Sequence, residues 1–412
     1  MTTRRQFFAG SAGALLASAS PRVARADTKT YPYTELEQRI ARKDFRGMTK
    51  DVLPTPSMVV DIDLFDKNVK TMADYAKKAP IYLRPHVKVH KSVDVAKRQM
   101  AAGALGVTTA TIAESELMSG AGIKGVLWTK QPASHNNVMR AIALTKRDPT
   151  FSFVIDDPVV ADMVEQAAAA AKVKCRIAVS VFAGLTRQGI ANGQPAVDLA
   201  RKIHASKHMQ LEGFMAYSGA ASHTKGWAAR RKQTAGDLSG VQETVALAKK
   251  AGLPVEIVSG GSTGTYNMDK EYGLTELECG SYVFMDSIYS QVGGKDNDQV
   301  YTDFESSLSV LVTVDSKRHP GQVTIDYGNK AMAKPTDVVK GKPWLELVNQ
   351  GAEYGLLKWK DGGGEIKIGD RMEIFCSNLD MSTNCYDRYY IAKGNDIVDA
   401  WPIMGRSGAA QR

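Results

Sequence analysis

Length, composition and charge limit what this chain can be. Its 412 residues are 43% hydrophobic and 24% charged, which is typical of a globular protein long enough for two domains. The net charge of +9 includes four arginines within the first 26 residues, and the rest of the chain has no basic run interleaved with aromatic residues. These features argue against collagen-like and repeat proteins and against nucleic-acid binding.

The first 26 residues resemble an export signal. Arg4-Arg5 precedes a short Ala-rich apolar stretch, and the segment ends in Ala24-Arg25-Ala26. This pattern is typical of a twin-arginine signal cleaved after Ala26, and the apolar stretch is too short to span a bilayer. We therefore expect a periplasmic protein without stable membrane association. The alternative is a disordered basic tail.

From residue 52 to residue 300, short β-branched runs alternate with longer Ala-, Lys- and Glu-rich stretches. This alternation favours parallel βα units, and eight strands are the number that closes a (β/α)8 barrel. A doubly wound open sheet is the alternative. The candidate strands are Met58–Ile62, Ile81–Arg84, Gly106–Ala110, Gly125–Thr129, Phe151–Ile155, Arg176–Val181, Leu211–Tyr217 and Val255–Ser259.

The flanking segments differ from the predicted barrel. In residues 301–412 helical runs are scarce, and Gly and Asp turns separate strand-like segments. We therefore predict an α/β fold in which a (β/α)8 barrel is followed by a mainly β C-terminal domain. Residues 27–51 form a lead-in that we expect to add an edge to the barrel. The C-terminal candidate strands are Leu308–Val314, Gln322–Ile325, Arg371–Phe375 and Tyr389–Ala392.

The segment Arg84-Pro85-His86-Val87-Lys88-Val89-His90-Lys91 contains a candidate catalytic lysine. Lys88 follows the second candidate strand, and reactive groups of (β/α)8 barrels lie at the carboxyl ends of the strands. We expect partial burial there to lower the pKa of Lys88 and supply the neutral amine that forms an imine with an aldehyde cofactor. Read alone, the composition of the segment favours a solvated basic loop.

A glycine-rich segment follows the last candidate barrel strand. It reads Ser259-Gly260-Gly261-Ser262-Thr263-Gly264-Thr265-Tyr266 and is called the glycine loop below. Glycines let backbone amides converge on an anion, and hydroxyl groups can donate further hydrogen bonds. Because phosphate sites recur after the last strands of such barrels, the loop is a candidate phosphate site. An ordinary surface loop is the alternative.

A third candidate site is Asn378-Leu379-Asp380, close to the C-terminus. In an extended segment Asn378 and Asp380 would share one face, where their oxygens could hold a divalent cation. The same sequence is also common in turns.

Together these segments resemble the D-threonine aldolase and D-serine dehydratase family. Its members are fold-type III enzymes that use pyridoxal 5′-phosphate (PLP) and are related to alanine racemase. The resemblance covers residues 52–405 and is most specific in the block from Arg84 to Lys91. The other matching blocks are Thr55–Ser57, Val60–Asp63, Thr111–Glu116, Arg187–Ile190, Ala216-Tyr217, the glycine loop, Gly280–Asp286 and Asn384–Asp387.

The resemblance implies a homodimer that binds PLP at the barrel mouth and acts on a small D-amino acid. Lys88 aligns with the imine-forming lysine, and His86 lies in the same block. Arg187 and Tyr217 align with residues close to the cofactor, and His223 is a candidate general base. The glycine loop aligns with the phosphate-binding segment, whose candidate cofactor ligands are Gly260, Gly261, Ser262, Thr263, Gly264 and Tyr266.

Three departures from the family pattern concern the metal and the substrate. The aligned metal pair is Asn378 and Asp380, without the usual histidine, which favours manganese or magnesium over zinc. Residues 180–184 lack the acidic residue that relatives often carry there. Tyr354 stands where relatives often have a histidine. The substrate and the type of reaction therefore stay open.

The favoured hypothesis is a PLP-dependent aldolase that cleaves D-3-hydroxy amino acids into glycine and an aldehyde. A dehydratase that releases ammonia from D-serine or D-3-hydroxyaspartate is the first alternative, since the same scaffold supports both reactions. The second alternative is an exported PLP-binding protein without catalysis, which the missing metal histidine motivates. A racemase is less favoured because no second acid/base residue could be named.

Overall fold

The computed structural model describes residues 30–332, 338–360 and 364–406. The predicted signal, residues 1–26, lies outside these ranges. Within them, no helix is long and apolar enough to cross a membrane. The described chain forms an eight-stranded parallel barrel and a second, mixed sheet.

The first helix and the first strand both pack on the C-terminal domain. Helix α1 (Tyr33–Ala41) buries Leu36 in the hydrophobic cluster of that domain. Strand β1 (Ser57–Asp61) pairs antiparallel with a strand at Leu308–Ser316 and parallel with one at Arg388–Lys393. The assignments of residues 58–62 to the barrel and of the lead-in to its edge were therefore wrong. A buried apolar strand has the same pattern in either sheet, so periodicity could not separate the two.

The (β/α)8 barrel predicted from the sequence is confirmed. Its strands are all parallel, and a bridge between His86 and Thr108 joins the first strand region to the second. The side chains of the strands are largely buried, as expected when a parallel sheet is covered by helices. The barrel strands are β2 (Tyr82–Leu83), β3 (Val107–Thr109), β4 (Val126–Trp128), β5 (Ser152–Ile155), β6 (Cys175–Ser180), β7 (Met209–Ala216), β8 (Ile257–Gly260) and β9 (Glu276–Leu277).

The eighth barrel strand, β9, was missed because it is short and starts with an acidic residue. Glu276 is buried in the barrel, where its carboxylate accepts hydrogen bonds from Arg84 at 2.8 and 3.0 Å. A buried ion pair does not follow the apolar pattern from which strands are predicted. Lys88 therefore follows the first barrel strand and not the second, and the glycine loop follows the seventh and not the eighth.

Helices connect most of the barrel strands, and side-chain caps fix several of their first turns. Asp61 accepts from the amides of Asp63 and Leu64, and Thr111 and Glu114 form a capping box. These two caps begin their helices within three residues of the preceding strand. The helices are α2 (Ile62–Lys78), α3 (Val93–Ala101), α4 (Ile112–Gly120), α5 (His135–Arg147), α6 (Pro158–Ala171), α7 (Gln194–Ala205) and α8 (Trp227–Lys250).

The C-terminal domain is mainly β, as predicted. Its strands are β10 (Leu308–Ser316), β11 (Gln322–Ile325), β12 (Val338–Val339), β13 (Leu345–Gln350), β14 (Gly355–Trp359), β15 (Arg371–Phe375), β16 (Arg388–Lys393) and β17 (Asp396–Pro402). With β1 they form one sheet in the order β13-β14-β11-β10-β1-β16-β17, and β15 pairs with β10 and β12. A short helix, α9 (Leu379–Ser382), brings Asp380 to the barrel mouth beside the turn that holds Lys88.

Candidate active site

The barrel mouth holds a cavity of about 280 Å³, called the main cavity below. Lys88 lines it from a single turn of 3-10 helix, Val87–Val89, that follows β2. His86 also lines the cavity, and its Nδ1 accepts a hydrogen bond from the amide of Lys88 at 3.3 Å. Burial and the neighbouring cations hold the pKa of His86 well below its usual range, so its ring is neutral.

Lys88 forms an ion pair with Asp380 of α9, with 3.0 Å between Nζ and Oδ2. Burial alone would lower the pKa of Lys88, but the charge of Asp380, with a further contribution from Tyr217, outweighs it and raises that pKa. The predicted lowering of the lysine pKa was therefore wrong. Nothing in the local sequence indicated that a carboxylate from the other domain would meet the amine.

A second lysine of the same segment, Lys91, is buried and directed away from the cavity. Its Nζ donates to the carbonyl oxygens of Lys88 at 2.6 Å and Asp380 at 2.7 Å, and to Thr383 Oγ1 at 2.8 Å. Burial lowers the pKa of Lys91 to about 8. Lys91 thus fastens the turn that holds Lys88 to helix α9 and keeps Lys88 and Asp380 together.

The glycine loop forms one wall of the main cavity through Gly261, Ser262 and Thr263. In the described part of the chain, the amides of Thr263 and Ser281, which both line the cavity, donate to no protein acceptor. Free amides on a cavity wall are suited to an anion such as phosphate. The side chain of Thr263 is occupied, since its Oγ1 accepts from the amide of Tyr282 at 3.0 Å.

Other residues of the glycine loop shape it without facing the cavity. A Cβ at Gly260 would collide with the carbonyl oxygen of Ala216, and one at Gly264 with that of Ser222. These glycines therefore allow close packing of the backbone.

Tyr266 also points away from the main cavity. Its ring packs on Tyr75 and Phe304, and its hydroxyl donates to Asp303 at 2.9 Å. The predicted contact between Tyr266 and a cofactor is therefore not supported by its position.

Arg187 and Tyr217, predicted near the cofactor, lie together on the main cavity. The guanidinium carbon of Arg187 is 5.4 Å from the centre of the Tyr217 ring. The hydroxyl of Ser222 donates to the Tyr217 oxygen at 3.3 Å. The two side chains form a wall that combines a cation with an aromatic face.

A smaller cavity of about 100 Å³, called the side cavity below, adjoins Lys88 and Tyr217. His223 lines it, with its ring centre 4.5 Å from that of Tyr289. Loss of water around the imidazole, together with the charge of Lys88, lowers the pKa of His223. A neutral imidazole beside Lys88 and Asp380 is able to accept a proton.

Asn378 and Asp380 both line the side cavity, but one side-chain oxygen of each is already engaged. Asn378 Oδ1 accepts from the amide of Met381 at 3.0 Å and caps α9, while Asp380 pairs with Lys88. Within the described ranges, no group of three or more His, Cys, Asp or Glu residues is arranged to hold a metal. One carboxylate and one committed amide oxygen do not fit a metal site made by this chain alone.

The other departures from the family pattern have different positions. Ser180, Val181 and Ala183 line the main cavity and bring no charge to it. Tyr354 lies before β14, is 56% exposed and lines neither cavity. The missing acidic residue therefore leaves this part of the cavity wall uncharged, whereas Tyr354 does not reach the wall.

Glu278 is a cavity residue that the sequence did not reveal. It is 5% exposed, accepts from Ser259 Oγ at 2.6 Å and lines the main cavity. Burial raises the pKa of Glu278 to about 7. It follows the short strand β9, and the failure to detect that strand hid it.

The main cavity offers a donor set that fits PLP. It combines a lysine amine for the aldehyde, free amides and small residues for the phosphate, and the Glu278 carboxyl group for a ring nitrogen. These groups sit at the carboxyl ends of the barrel strands, where such barrels bind ligands.

Comparison with known proteins agrees with this chemistry. Residues 60–288 match the family described as alanine racemase, N-terminal domain, and residues 307–392 match a serine dehydratase domain. The chain is 31% identical over 369 residues to 3-hydroxy-D-aspartate aldolase of Paracoccus denitrificans, covering 87% of this chain and 94% of that protein. It is 29% identical over 379 residues to D-threo-3-hydroxyaspartate dehydratase of a Delftia species, covering 85% and 97%.

A solved structure gives the same result. D-threonine aldolase of Filomicrobium marinum superposes with a TM-score of 0.81 at 29% identity, covering 87% of this chain and 96% of that one. The chain therefore belongs to the fold-type III PLP-dependent family in which an alanine racemase-like barrel precedes a serine dehydratase-like domain.

Proposed function

We propose that this protein is a PLP-dependent lyase that cleaves D-3-hydroxy amino acids into glycine and an aldehyde. The observation that carries the proposal is the position of Lys88 between two cavities. On one side is the glycine loop with its free amides, and on the other are Asp380 and His223. The aldolase names of two relatives support this reaction class.

The residues of the main cavity would hold the cofactor. Lys88 would bind it covalently, the amides of Thr263 and Ser281 would hold its phosphate, and Glu278 would face its ring. When bound, PLP supplies the electron sink for the breaking bond. Tyr217 and Arg187 would close the remaining wall and exclude water.

In the side cavity, the substrate hydroxyl is the group that must lose a proton. His223 is the candidate base, because its lowered pKa leaves an imidazole nitrogen free to accept that proton at neutral pH. Asp380 holds Lys88 Nζ through the ion pair, so it orients the amine and keeps a proton on it. Loss of the hydroxyl proton to His223 lets the Cα–Cβ bond break and the aldehyde leave. The Lys88 ammonium then donates its proton to Cα, which completes glycine, and the proton taken by His223 balances the one that Lys88 gave up.

Dehydration is the second candidate reaction, favoured by the ion pair between Lys88 and Asp380. The Lys88 ammonium can donate its proton to the leaving hydroxyl group, and the neutral amine can then accept the Cα proton, so the same pair serves the loss of water. A relative named as a dehydratase, at 29% identity, adds support. The products separate the two reactions, because dehydration yields a keto acid and ammonia.

The deciding experiment uses the purified mature protein loaded with PLP. D-threonine, D-3-phenylserine, D-3-hydroxyaspartate and D-serine are supplied, and glycine, aldehyde and ammonia are measured for each. Glycine with aldehyde supports the aldolase, and ammonia without aldehyde supports the dehydratase. A bound cofactor with no product from any of the four substrates would contradict both and identify a binding protein.

We also propose tests for the metal, the assembly and the location. No step of the mechanism is assigned to a divalent cation. If one binds, Mn²⁺ or Mg²⁺ is expected in preference to Zn²⁺, so the assay is repeated with each ion and with a chelator. A homodimer is expected from the family and is tested by light scattering. Export by a twin-arginine signal rests on Arg4-Arg5, and substitution of this pair by Lys-Lys should keep the protein out of the periplasm.

A further inference from the structure

A buried carboxyl group lies behind the glycine loop, and no step above uses it. Asp269 is 1% exposed and does not line the main cavity. Its Oδ2 accepts a hydrogen bond from Thr265 Oγ1 at 2.7 Å. The same hydroxyl oxygen accepts from the amide of Ser262 at 3.1 Å. Two hydrogen bonds in series therefore tie the carboxyl group to Ser262, and both Ser262 and the next residue, Thr263, line the main cavity.

Gly261 packs directly against this carboxyl group. A Cβ at Gly261 would lie 2.5 Å from Asp269 Oδ2, and the residue has a φ of +79°. Any side chain here would therefore meet both a steric clash and an unfavourable backbone conformation. Since Gly261 itself lines the main cavity, a single residue separates the Asp269 carboxyl group from that cavity.

The charge of Asp269 has no compensation among the described residues. Its hydrogen-bond partners are neutral, and no cation contributes to its environment. The titratable groups that face it are Tyr75 of α2 and Cys279 after β9, and the pKa of each is raised by burial and then by Asp269. Burial raises the pKa of Asp269 to about 8, so the group is a neutral acid at pH 7.

We propose that Asp269 is a positioning residue that shapes the phosphate seat as a neutral carboxyl group, and that its ionisation weakens the binding of PLP. The inference rests on the proposed function, because it needs the phosphate of PLP at the glycine loop. That phosphate carries nearly two negative charges above pH 7. An ionised Asp269 behind Gly261 would repel it across a low-dielectric wall.

The direction of the pH effect follows from this repulsion. Bound phosphate makes ionisation of Asp269 harder, so the protonated form of the protein binds PLP more tightly. The affinity therefore falls as pH rises through the pKa of Asp269 in the cofactor-free protein. With that pKa near 8, the loss at pH 9 should be about tenfold relative to pH 7.

The test compares the wild type with Asp269→Asn, which keeps the size of the side chain and its acceptor for Thr265. Dissociation constants for PLP are measured by fluorescence and visible absorbance from pH 7 to pH 9. Lys88 and the cofactor titrate alike in both proteins, so the ratio of the two constants isolates Asp269. We expect equal affinity within about threefold at pH 7 and about tenfold weaker binding by the wild type at pH 9.

Pyridoxal, which lacks the phosphate, is the matched control ligand. Its affinity should change with pH in the same way in both proteins. An equal pH dependence of PLP binding in wild type and variant would overturn the inference, and so would a difference of the same size with pyridoxal. If Asp269→Asn does not fold, as judged by circular dichroism, the wild type alone decides: PLP must lose affinity relative to pyridoxal between pH 7 and pH 9.

The two proposals fail in different ways. If PLP binds neither protein at any pH, the cofactor assignment itself is wrong. If PLP binds normally but the pH curves of wild type and variant coincide, only the role of Asp269 is lost.

Discussion

The main cavity and the side cavity meet at Lys88 but are built from different parts of the chain. The main cavity is lined by residues at the ends of barrel strands, such as Thr129, Ser180 and Gly261. The side cavity depends on α9, which belongs to the other domain and supplies Asp380. The first keeps the features expected for PLP, whereas the second lacks the metal histidine. Cofactor binding and the choice of reaction can therefore change independently, and each needs its own test.

The largest effect is expected for Lys88→Ala, which removes an amine that lies on both cavities. Without the amine no covalent link to PLP can form, and activity should fall roughly 10³-fold or more. Visible absorbance, followed by borohydride reduction and peptide mapping, measures the link. Lys91→Arg is the control, because it keeps the cation that joins Lys88 and Asp380 through their carbonyl oxygens. A modified peptide in Lys88→Ala that maps to Lys91 would refute the assignment of the anchor.

Asp380→Asn changes a residue that lines only the side cavity but pairs with Lys88. Its removal breaks the ion pair, burial then dominates, and the pKa of Lys88 should fall. The pH at which PLP attaches half-maximally should move to lower pH, because the neutral amine then appears earlier. Turnover should drop on the order of 10²-fold while PLP affinity changes only a few-fold. Asn378→Ala, which removes the cap of α9 but no charge, is the control. Full turnover in Asp380→Asn would assign the reaction chemistry to other residues.

These two residues also show how far the sequence could predict the site. Lys88 was found because its segment matches the family and follows a recognisable barrel strand. Its ion pair with Asp380 was not found, because pairing between distant segments leaves no local pattern. The same limit applies to the fold: β1 has an ordinary buried-strand pattern but belongs to the second sheet. Strand β9 was not predicted, because its buried pair of Glu276 and Arg84 does not follow the apolar pattern of strands. Glu278, which follows this strand, was missed with it.

Gly261→Ala tests the main cavity and should leave the side cavity unchanged. The new Cβ would clash with Asp269 Oδ2, and the alanine would have to keep the backbone φ of +79° that Gly261 has. PLP affinity should therefore fall roughly ten- to hundredfold. Gly252→Ala is the matched control, since Gly252 has a φ of +74° but nothing within 4 Å of a Cβ. The dissociation constant for PLP and the turnover at saturating PLP are measured. A loss of turnover that excess PLP does not restore would show that the two cavities are coupled.

The smallest effect is expected for Tyr217→Phe, which probes the boundary between the cavities. Tyr217 lines both of them, and its ring faces Arg187 while its oxygen accepts from Ser222. The substitution keeps the ring and removes the oxygen, so a change of roughly threefold is expected from one neutral hydrogen bond. A change in PLP affinity would assign the hydroxyl to the main cavity, and a change in kcat at saturating PLP would assign it to the side cavity. Tyr217→Ala, which also removes the ring, should weaken PLP binding further. If Tyr217→Phe and Tyr217→Ala bind PLP with the same affinity, the ring does not contribute to PLP binding. The boundary between the cavities then lies on the main-cavity side of Tyr217.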